Sequence, residues 1–85
     1  MSEVNWQATN PDMFAVAAFR YALGRTSYGV SCVGEMLCDI AAELQSDTRR
    51  LIVREIETAG KEGRLGHACD VTVWRQVAEA MGGGQ

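Results

Sequence analysis

The sequence predicts an all-α fold, a small single domain of about four helices joined by short loops. Three observations predict it. Apolar residues recur at helical spacing in four successive segments. Residues that start and stop helices separate those segments. Nothing alternates apolar with polar as a half-buried strand does, and no Asn-Gly pair marks a hairpin. The chain also carries no internal repeat.

The first helix is set by Asn10-Pro11. Asparagine caps a helix start well, and proline fits the first helical position because its missing N–H has no partner there anyway. This helix should run to the Gly24 stop. Thr26 and Ser27 then offer caps for a second helix over about 28–45. In it Val30, Val33, Leu37, Ile40 and Leu44 form one apolar stripe. Ser46 or Asp47 caps a third helix with Leu51, Ile52, Ile56 and Ala59 on one side. It should fray around Gly60 and Gly63, with 63–66 a loop. Asp70 should cap a short last helix whose Val71, Trp74, Ala78 and Met81 share a face. The helical domain thus covers 10–81. Residues 1–9 and 82–85 have little to pack and should be flexible tails.

At 85 residues the chain is one small domain, which buries only about 60–65% of its unfolded surface. A cleft with its own lid is not expected at that size. The apolar fraction of 47% and charged fraction of 22% are those of a globular chain, so wholesale disorder is not expected. No apolar run reaches the roughly 20 residues of a membrane span. The polar, acidic N-terminus does not read as a secretory signal. A net charge of −3 argues against non-specific nucleic-acid binding, which needs a basic surface.

Cys32, Cys38 and Cys69 are an odd set without a secretory signal, which suits a reducing compartment and no disulfide framework. His67 and Cys69 do not match the paired spacing of a structural zinc site, with Cys32 or with Cys38. No metal or cofactor is expected, and the thiols read as small packing residues.

Four features bear on function. Around the first helix, Val16, Phe19 and Leu23 lie nearly opposite Phe14, Ala18 and Tyr21. That pattern means either full burial or contact with a second copy or a partner protein. The second helix carries Glu35, Asp39 and Glu43 at i, i+4, i+8. This row is a solvated face, a partner for Arg50, Arg54 and Lys61 on the third helix, or an imitation of phosphates presented to a basic groove. Glu55 lies close to the apolar side of its helix, where a carboxylate needs a cation, and Arg20 or Arg25 can supply it. Finally, seven of the eight cations are arginine. Arg20, Tyr21, Arg25 and Tyr28 gather around the first helix junction, either as an interaction surface or as a capping and packing device.

The order "FRYALGRTSY" over 19–28, Thr48-Arg49-Arg50-Leu51-Ile52 with Glu55-Ile56, then Leu65-Gly66 and Asp70 four before Trp74, resembles a group of small bacteriophage- and prophage-encoded proteins. That group carries an RYALGR-x-TY stretch, a TR-x-x-I-x-x-EI helix and a D-x-x-x-W ending. The likeness covers about 19–74 and departs at Ser27, one residue more than the pattern before Tyr28. It implies a phage setting in the cytoplasm of a bacterial host. By analogy with small acidic phage proteins it implies an inhibitor of host defence, anti-CRISPR proteins being one such class. The group lends no activity to particular residues.

Three functions compete at this level. The first is a non-enzymatic inhibitor that binds a host protein or ribonucleoprotein complex through Glu35, Asp39, Glu43 or the corner of Arg20, Tyr21, Arg25 and Tyr28. A DNA-associated regulator would place Arg49, Arg50 and Arg54 on phosphates, but Glu55, Glu57 and Glu62 dilute that field. An enzyme lacks a metal set, a nucleophile with a base, or a glycine-rich loop ahead of a helix, so no catalytic residue is assigned.

Overall fold

The computed structural model describes residues 10–23 and 27–82, with backbone alone at 27–28. Four helices form the domain: α1 (Pro11–Ala22), α2 (Ser27–Ile40), α3 (Ser46–Lys61) and α4 (Ala68–Ala80). A 3₁₀ turn, Ala41–Glu43, follows α2, and the described residues contain no strand. The expected tail over 1–9 and most of that over 82–85 lie outside the described residues, as do Gly24, Arg25 and Thr26.

α1 starts as the sequence requires. Asn10 is extended, its Oδ1 accepts the Asp12 N–H at 2.8 Å, and Pro11 opens the helix. The α1 core face is Ala15, Phe19 and Ala22, so burial is one-sided and the fully surrounded alternative is excluded. α2 packs chiefly on α4 and also on α1, while α3 packs on α4 and α1. Phe19, Leu37, Ile52, Trp74 and Val77 meet between them. Full burial of one such side chain contributes about 1.5–3 kcal/mol.

α2 ends five residues before the expected boundary. Leu44 is extended, because the chain must reverse here to start α3 at Ser46. The stretch has no glycine or proline to signal that stop. Tightening to 3₁₀ geometry closes the helix instead, with the Leu44 N–H on the Ala41 carbonyl at 3.2 Å. Arg49 Nη1 donates to the same carbonyl at 3.4 Å. The deep face of this stretch is Val30, Gly34, Leu37, Ala41 and Leu44, with Val33 and Ile40 only partly buried. Gly34 is the close-approach point. A Cβ there would overlap Val73 Cγ1 and touch Val77, so α2 and α4 can meet only over a hydrogen.

Two expected caps are corrected. The residue before α3 is Gln45, whose side chain makes no capping bond, and Ser46 is already helical. The Gln45 N–H goes instead to Asp12 Oδ1 at 3.2 Å, so a side chain from α1 serves the start of α3. At α4 the capping position is His67, and Asp70 stands three residues inside. The Asp70 carboxylate reaches back to the His67 N–H at 3.0 Å and is only 2% exposed. Gly66, at φ 101°, makes room for it, since a Cβ would fall 2.5 Å from Asp70 Oδ2. α3 itself runs through Gly60. It ends in a Schellman turn, with Arg64 N–H on the Ala59 carbonyl at 2.8 Å and Gly63 N–H on that of Gly60 at 3.3 Å.

Candidate interaction surface

α1 and α3 are joined by side-chain links at two places. Near their starts, Asp12 accepts from the Gln45 N–H. Further along, the Arg20 guanidinium meets the Glu55 carboxylate, Nη2 to Oε2 at 2.6 Å and Nε to Oε1 at 3.3 Å. Because 12 pairs with 45 and 20 with 55, the two helices run in the same direction. The Glu55 side chain is 28% exposed and that of Arg20 58%. This is the partner that a carboxylate near an apolar face required, and Arg20 supplies it. Hydrogen bonding to Glu55, and then its charge, raises the Arg20 pKa above an already high value. Like any arginine, Arg20 is a cation at neutral pH, and the two bonds to Glu55 hold it in place.

Between these links lies an open groove of about 420 Å³ lined by Met13, Val16, Ala17 and Thr48, with Asp12 and Arg20 also on its wall. Met13 is 70% exposed, and Tyr21, at the end of the same helix, is 66% exposed. They are the large hydrophobic residues that the described surface leaves most open. Met13, Ala17, Arg20 and Tyr21 recur at i, i+4, i+7 and i+8, so the outer side of α1 is one apolar stripe with a held arginine in it. Of the expected corner, Arg20 and Tyr21 share this surface. Arg25 and the Tyr28 side chain lie outside the described residues.

The acidic row divides. Glu35 and Asp39 are exposed on α2 and line a groove of about 330 Å³ with Ser31, Cys38, Val73 and Gln76. Glu43 sits in the 3₁₀ turn, where the α-helical register of the row is lost. Among the described residues no member of the row pairs with Arg50, Arg54 or Lys61. Arg50 instead approaches Asp47, one turn earlier on α3, at 3.7 Å. Burial, then the charges of Asp39 and Glu35, push the Cys38 thiol pKa up.

The chain matches no family model, no curated protein and no solved structure.

The arginines offered for phosphate contact are also divided. Arg49 is turned inward to the Ala41 carbonyl and Ser46 Oγ, each at 3.4 Å, and so closes the α2–α3 reversal. Only Arg50 and Arg54 remain exposed. Among the described residues, no three His, Cys, Asp or Glu side chains gather in a way that could hold a metal ion. No helix there is long and apolar enough to cross a membrane.

The sequence reading missed Met13, although the small residues Ala15, Ala17, Ala18 and Ala22 had marked this helix as one that a partner could approach closely. The spacing of Met13 with Tyr21 was available, but it lies in a helix so apolar that its outer side could not be told from its inner one. It also missed the cleft between α3 and α4, about 660 Å³ in volume, because that cleft depends on how the loop over 62–67 carries Leu65 inward.

Proposed function

We propose that the chain is a small non-enzymatic binding protein that attaches to, and inhibits, a protein or ribonucleoprotein complex of a bacterial host. The observation that carries this reading is the outer face of α1, where exposed Met13 and Tyr21 flank Ala17 and the fixed Arg20. Met, Tyr and Arg are enriched in the cores of protein interfaces, and exposed apolar area in a small domain marks such contacts. Holding Arg20 on Glu55 before any partner arrives reduces the side-chain ordering that binding costs. The phage setting, the host cytoplasm and the anti-defence role, with anti-CRISPR action as one form of it, rest on the resemblance of 19–74.

The test is affinity capture from a bacterial host lysate with the tagged chain, followed by mass spectrometry of what is retained. Retention of one defined complex supports the reading. A mobility shift of duplex DNA at moderate salt, with no protein retained, supports the DNA-associated alternative, which now has Arg50 and Arg54 but not Arg49. A second copy of the chain is a competing occupant of the same face. Light scattering distinguishes it, since a mass of 9.3 kDa leaves the face open for a foreign partner.

A further inference from the structure

We propose that the cleft between α3 and α4 binds a small amphipathic carboxylate, an apolar body bearing one anionic group. The site is separate from the outer face of α1 and does not depend on it. Its floor is apolar: Ile56 from α3, Leu65 from the connecting loop, and Val71 and Ala78 from α4. Ile56 and Leu65 are buried, so the floor belongs to the packed core and is formed before any ligand arrives. A volume of about 660 Å³ lies within the range of pockets that take small organic ligands.

Charge selects the ligand class. Exposed Lys61 on the α3 wall and Arg75 on the α4 wall face the cleft, with Glu57 as the lining acid. The lining is thus net positive in a chain whose total is −3. Among the described residues neither Lys61 nor Arg75 enters an ion pair, whereas the neighbouring Arg64 and Glu62 are closed on each other at 2.6 Å. Glu57 stands one turn before Lys61 on the same helix and offsets it. Arg75 is the one charged residue that α4 adds to the lining, with Glu79 a turn further along the helix and outside it. It meets the anion with the planar fork that suits a carboxylate. Exposed cations add little affinity by themselves. The floor supplies most of the attraction, and Arg75 decides which charge the ligand carries.

The experiment titrates octanoate, and in parallel octanol, into the full ¹⁵N-labelled chain. Octanoate should give saturable shifts at 56–65 and 71–78, and bind about threefold more tightly than octanol. Arg75→Glu, an exposed change whose fold circular dichroism can check, should weaken octanoate by about tenfold and leave octanol unchanged. Ala78→Phe should block both ligands by filling the floor. Equal binding of octanol and octanoate, an unaltered affinity in Arg75→Glu, or shifts centred on Met13 and Ala17 would each overturn the proposal.

Discussion

Arg20 and Glu55, thirty-five positions apart, form a two-bond ion pair that fixes the outer edge of α1 against α3. Charged partners of this kind, joined by parallel bonds, are geometrically selective. Solvent reaches both side chains, so the pair orients more than it stabilises. Arg20→Ala should therefore lower the urea midpoint only slightly, and Glu55→Gln likewise. A double-mutant cycle should show favourable coupling that shrinks as salt is raised. Coupling of zero at low salt would mean that the pair does not form in solution.

The buried counterpart of this link is the contact of Phe19 with Trp74, edge to face at 5.2 Å between ring centres. Both rings are fully buried. Trp74→Ala should cost about 3–5 kcal/mol. For a domain of this size that is a large share of its stability, so the variant should melt far lower or fail to fold. Among the described residues the Trp74 Nε1–H has no acceptor, so Trp74→Phe should cost much less than Trp74→Ala. Thermal melts followed by circular dichroism check both. A normal melt for Trp74→Ala would place the ring outside the core.

Gly34 makes a sharper packing prediction, because helix propensity and sterics disagree there. Alanine in a helix interior is favoured over glycine by about 1 kcal/mol. Against that, the added methyl would collide with Val73, whose β-branched side chain has few ways to yield. Overpacking of a tight contact typically costs about 1–3 kcal/mol. Gly34→Ala should be destabilising, and Val73→Ala in the same chain should recover part of the loss. Urea unfolding of the two singles and the double decides it. A stabilised Gly34→Ala would show that α2 and α4 do not approach this closely.

Much of this architecture could be read from residue order. Asn10-Pro11 fixed where α1 begins. The apolar spacings put Ile52, Ile56 and Ala59 of α3, and Trp74 and Met81 in and just after α4, on buried sides. They also took in Leu51, which is outside the core, and passed over the fully buried Val77. What the order did not reveal has physical causes. The end of α2 carries no punctuation, because a 3₁₀ turn and an arginine from the next helix close it. Asp70 looks like a cap from its position before an apolar run. Only the reach of its carboxylate back to the His67 N–H shows that the helix starts earlier. The three carboxylates spaced at i, i+4, i+8 presuppose an unbroken helix, and Glu43 leaves the row when the helix ends. On the surface, the need for an arginine at Glu55 followed from the cost of a carboxylate near an apolar side, with Arg20 and Arg25 both open as its source. The exposed stripe of α1 did not, since nothing local ranks Met13 below Phe14 as a core residue.

Cysteine chemistry reports on the groove beside the remaining acidic pair. Because burial and the Asp39 and Glu35 charges raise the Cys38 pKa, a smaller fraction of it is thiolate at pH 8 than of an ordinary thiol. Iodoacetamide should therefore label the exposed Cys32 before the half-buried Cys38. The Cys38 rate should rise as pH is increased beyond the ordinary thiol range. Replacing the acids, Glu35→Gln with Asp39→Asn, should speed Cys38 labelling at fixed pH. Peptide mass spectrometry separates the sites. Equal rates for Cys32 and Cys38 at pH 8 would contradict the placement of Cys38.

The proposed contact on the outer side of α1 is decided by quantitative affinity capture from host lysate, comparing three tagged chains shown by circular dichroism to be folded. These are the unmodified protein, the double variant Met13→Glu, Tyr21→Glu, and the triple reversal Glu35→Lys, Asp39→Lys, Glu43→Lys. Inserting carboxylates into an apolar contact should abolish it, whereas reversing exposed charges elsewhere should chiefly alter encounter rates and salt dependence. The unmodified chain and the triple reversal should retain the same defined complex, and the α1 variant should lose it. Retention by the α1 variant together with loss by the triple reversal would contradict this and move the contact to the acidic side of α2.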